Sequence, residues 1–236
     1  MGAEITTSAR TFVLVHGAWC GGWIWRRVSD RLVAQGHRVF SPTLTGLADR
    51  SHLASRDVDL STHIHDVVNL IRWEELSEIV LVGHSYAGMV ISGVAGVAPE
   101  GSIDALVYLD AFLPEDGKSF ADYAPLPGAA DGFVPPIPAA PPRSNAADAA
   151  WMNRLRTPQP LATFTEPVRF GTALERTRSK TFVLATGYDY GVFGDFAEHA
   201  RSFGTWRYHE LDCGHDVMLA RPDETVEILL EAASRG

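Results

Sequence analysis

A serine hydroxyl is a weak nucleophile until a neighbouring base takes its proton. Acyl transfer therefore needs four things: a hydroxyl displayed on a turn, an imidazole within reach, a carboxylate behind that imidazole, and N–H groups for the developing oxyanion. The segment VLVGHSYAG supplies a candidate hydroxyl at Ser85. It nearly matches G-x-S-x-G, with Gly83 in place and Ala87 where the second glycine belongs. A strand runs into Ser85 and a helix leaves it, which is the context a nucleophile elbow requires. The plainer alternative is a serine that only caps that helix. Ala87 adds one methyl group and stays compatible with the close strand–helix approach that Gly83 and Gly88 permit.

His215, in LDCGHDVML, is the candidate base. It follows the last strand and precedes the last helix, in the chain order serine, acid, histidine. Two carboxylates end strands. Asp110 closes DALVYLD, and Asp189 follows TFVLATGY. Asp110 is preferred, because a charge leaving a wholly apolar strand needs a partner and an imidazolium would serve; Asp189 is the alternate acid, or else a turn residue between glycines. VHGAW follows the first strand, and Gly17 lets the backbone turn tightly. The backbone N–H groups of Ala18 and Tyr86 are the expected oxyanion pair, the latter at a helix start where amides lack partners. Trp19, Phe112 and Met218 flank these positions and are expected in the substrate pocket, with Tyr86 a further candidate.

The elements that must position these groups alternate. Strands are expected at 11–16, 38–42, 78–83, 104–110, 181–186 and 206–211. Helices are expected at 23–35 and 62–73 on the spacing of their apolar residues, at 86–97 as a small-residue helix, at 193–202, and from Pro222 onward, where Asp223 and Glu224 suit the helix dipole. Near-continuous apolar strands between helices imply a doubly wound, mostly parallel sheet covered on both faces. Ligands then bind beyond the carboxyl ends of the strands. Residues 111–180 break the rhythm with eleven of the 14 prolines and no obvious strand, though 145–156 reads as a short helix. So long an insertion is expected to be functional, a cap over the site. The remainder, 1–110 and 181–236, forms the core of what is overall a single domain.

With 236 residues and a net charge of −9, the chain is long enough for a sizeable core and unsuited to polyanionic partners such as nucleic acid or an anionic membrane. No apolar run is long enough to span a bilayer, and MGAEITTSAR has no apolar stretch to serve as a signal peptide. Gly2 to Thr6 fits the loose myristoylation pattern, but no basic cluster follows it, and the match is read as chance. Cys20 and Cys213 are read as free thiols of a reducing compartment, giving a cytoplasmic expectation. In THIHD, His63 and His65 point to different sides of a helix, so one metal ion cannot easily take both. Among the tryptophans, Trp23 and Trp25 are read as packing residues.

Four segments, FVLVHGAWCGGWIWRRV, VLVGHSYAGMVISGVA, YLDAFLPEDG and CGHDVML, resemble the α/β-hydrolase superfamily. They are most similar to the branch of plant methyl-ester esterases, hydroxynitrile lyases and small bacterial relatives. The resemblance covers nearly the whole chain and is weakest in 111–180. It implies an α/β-hydrolase fold of six core strands with a Pro-rich cap after the fourth, and a Ser–His–acid triad. The lyases carry a threonine after the histidine of VHGAW and a lysine after the triad histidine, where this chain has Gly17 and Asp216. Asp216 has the wrong sign to hold cyanide. The expectation is a serine hydrolase of small carboxylic esters, lactones or thioesters, with no metal or organic cofactor and a small-molecule substrate as partner. Two rivals are a non-catalytic small-molecule-binding protein on the same fold and a Ser–His enzyme of C–C bond cleavage. The oligomeric state is not legible.

Overall fold

The computed structural model describes residues 9–126, 128–189 and 191–234. The readings of the first eight residues lie outside that range. Strands β1 (Thr11–Val15), β2 (Arg38–Phe40), β3 (Ile79–His84) and β4 (Ile103–Leu109) come first, with helices α1 (Arg26–Ala34), α2 (Leu60–Trp73) and α3 (Ala87–Val97) between them. The inserted segment follows, holding β5 (Phe133–Val134), α4 (Ala146–Leu155), β6 (Gln159–Pro160), α5 (Ala162–Thr165) and α6 (Ala173–Arg176). β7 (Ser179–Ala185), α7 (Val192–Ser202), β8 (Arg207–Leu211), α8 (Val217–Ala220) and α9 (Pro222–Ala233) complete the chain.

The main sheet has six strands in the order β2-β1-β3-β4-β7-β8, every pairing parallel. β3 is buried at all six positions, as an inner strand covered on both faces should be. The sheet order reverses direction after β1–β2, so β1 and β3 end side by side where ligands of such sheets bind.

The helical periods are borne out by burial. Ile64, Val67, Val68 and Ile71 of α2 all face the core. An Asp59–Thr62 capping box starts that helix by satisfying two otherwise orphaned N–H groups. His63 is buried and His65 exposed, so they do point apart. Trp25 lies in the core, and Trp23 packs edge-on against Trp151 at 4.8 Å. α1 begins at Arg26, because Gly22–Trp25 forms a 3₁₀ turn first. Cys20 and Cys213 are free thiols.

The inserted segment differs from its reading as strandless. β5 and β6 pair antiparallel over two residues each. So short a pair cannot show period-two alternation, and Pro160 in β6 hides it further. The segment is stitched to the first loop of the core. The Trp19 backbone N–H donates to Gln159 Oε1 at 2.9 Å, and its indole N–H to the Val134 carbonyl at 3.1 Å.

Candidate active site

Ser85 sits between β3 and α3 at φ 55°, a left-handed conformation that an L residue holds only when its surroundings impose it. They do. The Ser85 carbonyl accepts from the Gly88 and Phe112 N–H groups at 3.0 and 3.1 Å. A methyl group at Gly88 would stand 1.8 Å from the Phe112 carbonyl oxygen, so this glycine is required by close approach. Ala87, by contrast, is accommodated fully buried. The first loop presses on the same turn: a methyl at Gly17 would stand 3.0 Å from Ser85 Cβ. This contact brings Ala18 beside the serine turn. Among the described residues, the backbone N–H groups of Ala18 and Tyr86 donate to no protein acceptor, leaving both available to an oxyanion.

His215 and Asp110 meet. His215 Nδ1–H donates to Asp110 Oδ2 at 2.6 Å. Asp110, fully buried at φ 45° just past β4, also accepts from the Ala185 N–H at 3.0 Å and the Tyr188 hydroxyl at 2.5 Å. Three donors thus support a carboxylate that burial alone would push up toward neutrality. Burial pushes the His215 imidazole below its ordinary value, and the guanidinium charges of Arg143 and Arg156 act in the same direction. Burial therefore favours the neutral imidazole. With Nδ1 carrying the proton, Nε2 keeps its lone pair. Asp189 does not pair with the imidazole; its Oδ1 accepts from the Gly191 N–H at 3.3 Å in a turn.

Ser85, His215 and Asp189 line one cavity of about 330 Å³, together with Trp19 and Phe112. That volume suits a small ligand. The walls come from both parts of the chain: Gly17, Ala18 and His84 from the core, and Phe120, Val134 and Ile137 from the inserted segment.

Two expectations about pocket side chains are corrected. Met218 is fully buried in the core and does not line the cavity; Asp216 does. The phase of a one-turn helix such as α8 is set by its contacts, which spacing cannot reveal. The Tyr86 side chain is also fully buried, its hydroxyl 2.9 Å from His63 Nδ1.

Sequence reasoning missed three contributors. Tyr188 lies 3.2 Å from His215 Nδ1 and bonds the acid. His84 Nε2–H donates to the His215 carbonyl at 2.9 Å, with the rings 4.6 Å apart. Phe193 stacks on His215 at 5.0 Å. His84 was visible as the neighbour of Ser85, but nothing in the pattern said which way it pointed.

Comparison with known proteins places this arrangement in context. The model of the alpha/beta hydrolase family matches residues 12–228. A carbendazim hydrolyzing esterase from Nocardioides sp. is 42% identical over 237 residues, covering 92% of this chain and 97% of that protein. Methylesterase 1 of Arabidopsis thaliana is 32% identical over 119 residues, 46% of this chain and 41% of that protein. Among solved structures, an extracellular alpha/beta-hydrolase from a Paenibacillus species superposes with a TM-score of 0.79 at 23% identity, covering 94% of this chain and 98% of that one.

Proposed function

This chain belongs to the alpha/beta hydrolase family and has esterase relatives, and we propose that it cleaves small carboxylic esters through an acyl-enzyme on Ser85. Ser85 Oγ attacks the ester carbonyl while His215 Nε2 takes its proton. The carbonyl oxygen becomes an oxyanion held by the N–H groups of Ala18 and Tyr86. Collapse of the tetrahedral adduct breaks the bond to the alkoxy oxygen, which leaves as alcohol with the proton from His215. Water then attacks the acyl group, again giving its proton to His215, and the acid departs as Ser85 Oγ recovers its hydrogen. Asp110 holds the imidazole in the required tautomer and stabilises it when it is charged. Tyr188 and the Ala185 N–H keep that carboxylate oriented. The segment 111–180 acts as a cap that excludes water and shapes the acyl and alcohol sites.

The observation that carries this reading is the 2.6 Å bond between His215 Nδ1 and Asp110 Oδ2, buried behind a cavity that His215 and Ser85 both line. The name of the Nocardioides relative makes carbendazim a substrate to try on this chain. The direct assay is turnover of p-nitrophenyl acetate and butyrate, with carbendazim alongside. Release of p-nitrophenol that vanishes in Ser85→Ala is the expected result. Tight ligand binding with neither burst nor turnover on any of the three would contradict it.

A further inference from the structure

In the proposed reaction the Ala18 N–H holds the oxyanion, and both peptide planes that flank Ala18 are anchored. On one side, the Ala18 N–H shares a plane with the Gly17 carbonyl, which accepts from His16 Nδ1–H at 2.8 Å. On the other, the Ala18 carbonyl shares a plane with the Trp19 N–H, which donates to Gln159 Oε1 at 2.9 Å. His16 follows β1 in the core, whereas Gln159 belongs to the inserted segment. Trp19 itself stands at φ 63°, a left-handed conformation that a bulky residue holds only under constraint. The inserted segment grips both of its backbone groups, because the Thr157 N–H also donates to the Trp19 carbonyl at 3.1 Å. Gln159 is fully buried, and its amide can point only one way. The Thr163 hydroxyl donates to the Pro160 carbonyl at 2.7 Å, so Thr163 Oγ1 accepts from Gln159 Nε2 at 2.8 Å and Oε1 is left for Trp19.

We propose that Gln159 is a positioning residue of the oxyanion hole: by accepting from the Trp19 N–H it keeps Trp19 in the left-handed conformation and the Ala18 N–H aimed at the reacting carbonyl. The inserted segment then takes part in the chemistry as well as covering the site. Without that acceptor, the left-handed conformation loses the bond that offsets its strain. Rotation of Trp19 toward negative φ would swing the Ala18–Trp19 plane and move the Ala18 N–H with it. A displacement of about 1 Å at such a donor is enough to lower the rate by on the order of a hundredfold. The loss would fall on the transition state, because an oxyanion donor reaches its full strength only when the carbonyl oxygen becomes charged. The Gln159–Trp19 clasp deepens the ester reading, on which it rests for calling Ala18 an oxyanion donor.

In steady-state hydrolysis of p-nitrophenyl butyrate, Gln159→Leu should lower kcat by about a hundredfold and leave KM within about threefold of the parent. Gln159→Glu keeps the volume and an acceptor for the Trp19 N–H, and should restore kcat to within about tenfold of the parent. A pair of inhibitors gives a readout that damaged packing would not. 1,1,1-Trifluoro-4-phenylbutan-2-one takes Ser85 Oγ at its carbonyl carbon, the hydroxyl proton passing to His215 Nε2 and the carbonyl electron pair to an oxyanion. 4-Phenylbutan-2-one binds as the unreacted ketone. Gln159→Leu should weaken the first by about a hundredfold and the second by no more than about threefold. Should Gln159→Leu fold poorly, Gln159→Met, matched in length with only a weak acceptor, is expected to show the same split. Equal weakening of both ketones, weakening of neither, or a Gln159→Glu protein as impaired as Gln159→Leu would overturn the proposal. Turnover that Gln159→Leu leaves unchanged sinks the proposal alone, whereas no turnover by the unmodified protein sinks the ester reading and the proposal with it.

Discussion

At Asp110 one side chain collects the His215 imidazole, a tyrosine hydroxyl and a backbone N–H. A carbonyl oxygen in place of Oδ2 could still accept, but an amide NH₂ there would force the imidazole into the wrong tautomer. Asp110→Asn is therefore expected to lower kcat by roughly 10,000-fold, as loss of the tautomer anchor does in triads generally. Asp189→Asn, at a cavity-lining side chain that bonds the Gly191 N–H and not the imidazole, should stay within a few-fold of the parent. Steady-state kinetics on p-nitrophenyl butyrate distinguishes them, and the reverse pattern would reassign the acid. Ser85 and Asp110 were legible because each sits where an apolar strand stops, and His215 because it lies between the last strand and the last helix. Tyr188, Arg143 and Arg156 were not. Their side chains reach the site from irregular stretches whose direction no periodicity encodes.

Elements position the serine through backbone contacts. α3 enters directly against the chain leaving β4, with Phe112 N–H bonded to the Ser85 carbonyl. Gly88→Ala would drive a methyl into the Phe112 carbonyl oxygen, 1.8 Å away. Its expected cost is about 3 kcal/mol of stability, the upper end of ordinary overpacking, and urea unfolding would measure it. Ala87→Gly should retain activity and lose about 1–2 kcal/mol, since a buried methyl group and helix propensity are both lost. The departure from G-x-S-x-G is thus tolerated because the crowded position is the glycine after it. Most elements were legible, α2 from its apolar spacing, α3 from its small residues and the core strands from their short β-rich runs. The β5–β6 pair was not, since two residues per strand leave no pattern to read. Its partner in holding the segment down, Trp19, was legible only as a pocket residue, not as the clasp its two hydrogen bonds make it.

Across the whole molecule, buried neutral imidazoles link folding to pH. His16 Nδ1–H donates to the Gly17 carbonyl and its Nε2 accepts from the Leu44 N–H, which leaves no place for a second proton. Burial holds His16 and His63 down to about 4 and His84 to about 3. Unfolded, each takes up a proton near pH 6.5. Between those values the unfolded chain binds more protons, so stability falls as pH falls, by about 1.4 kcal/mol per unit for each fully titrating group. Asp110, pushed up to about 6 by burial, works in the opposite direction and offsets one imidazole at most. Tm is therefore expected to drop steadily from pH 7 to pH 5; a flat or rising Tm over that range would show that these rings are not held neutral. Composition and charge bounded the molecule's class but could not place the Arg156–Asp216 ion pair in the wall of its cavity. The most direct measurement of the account as a whole is intact-protein mass during turnover of p-nitrophenyl butyrate at acid-quench times. A mass increase equal to one butyryl group, present in the parent and absent in Ser85→Ala, is expected. Turnover without that adduct, or an adduct that persists in Ser85→Ala, would contradict covalent catalysis by this serine.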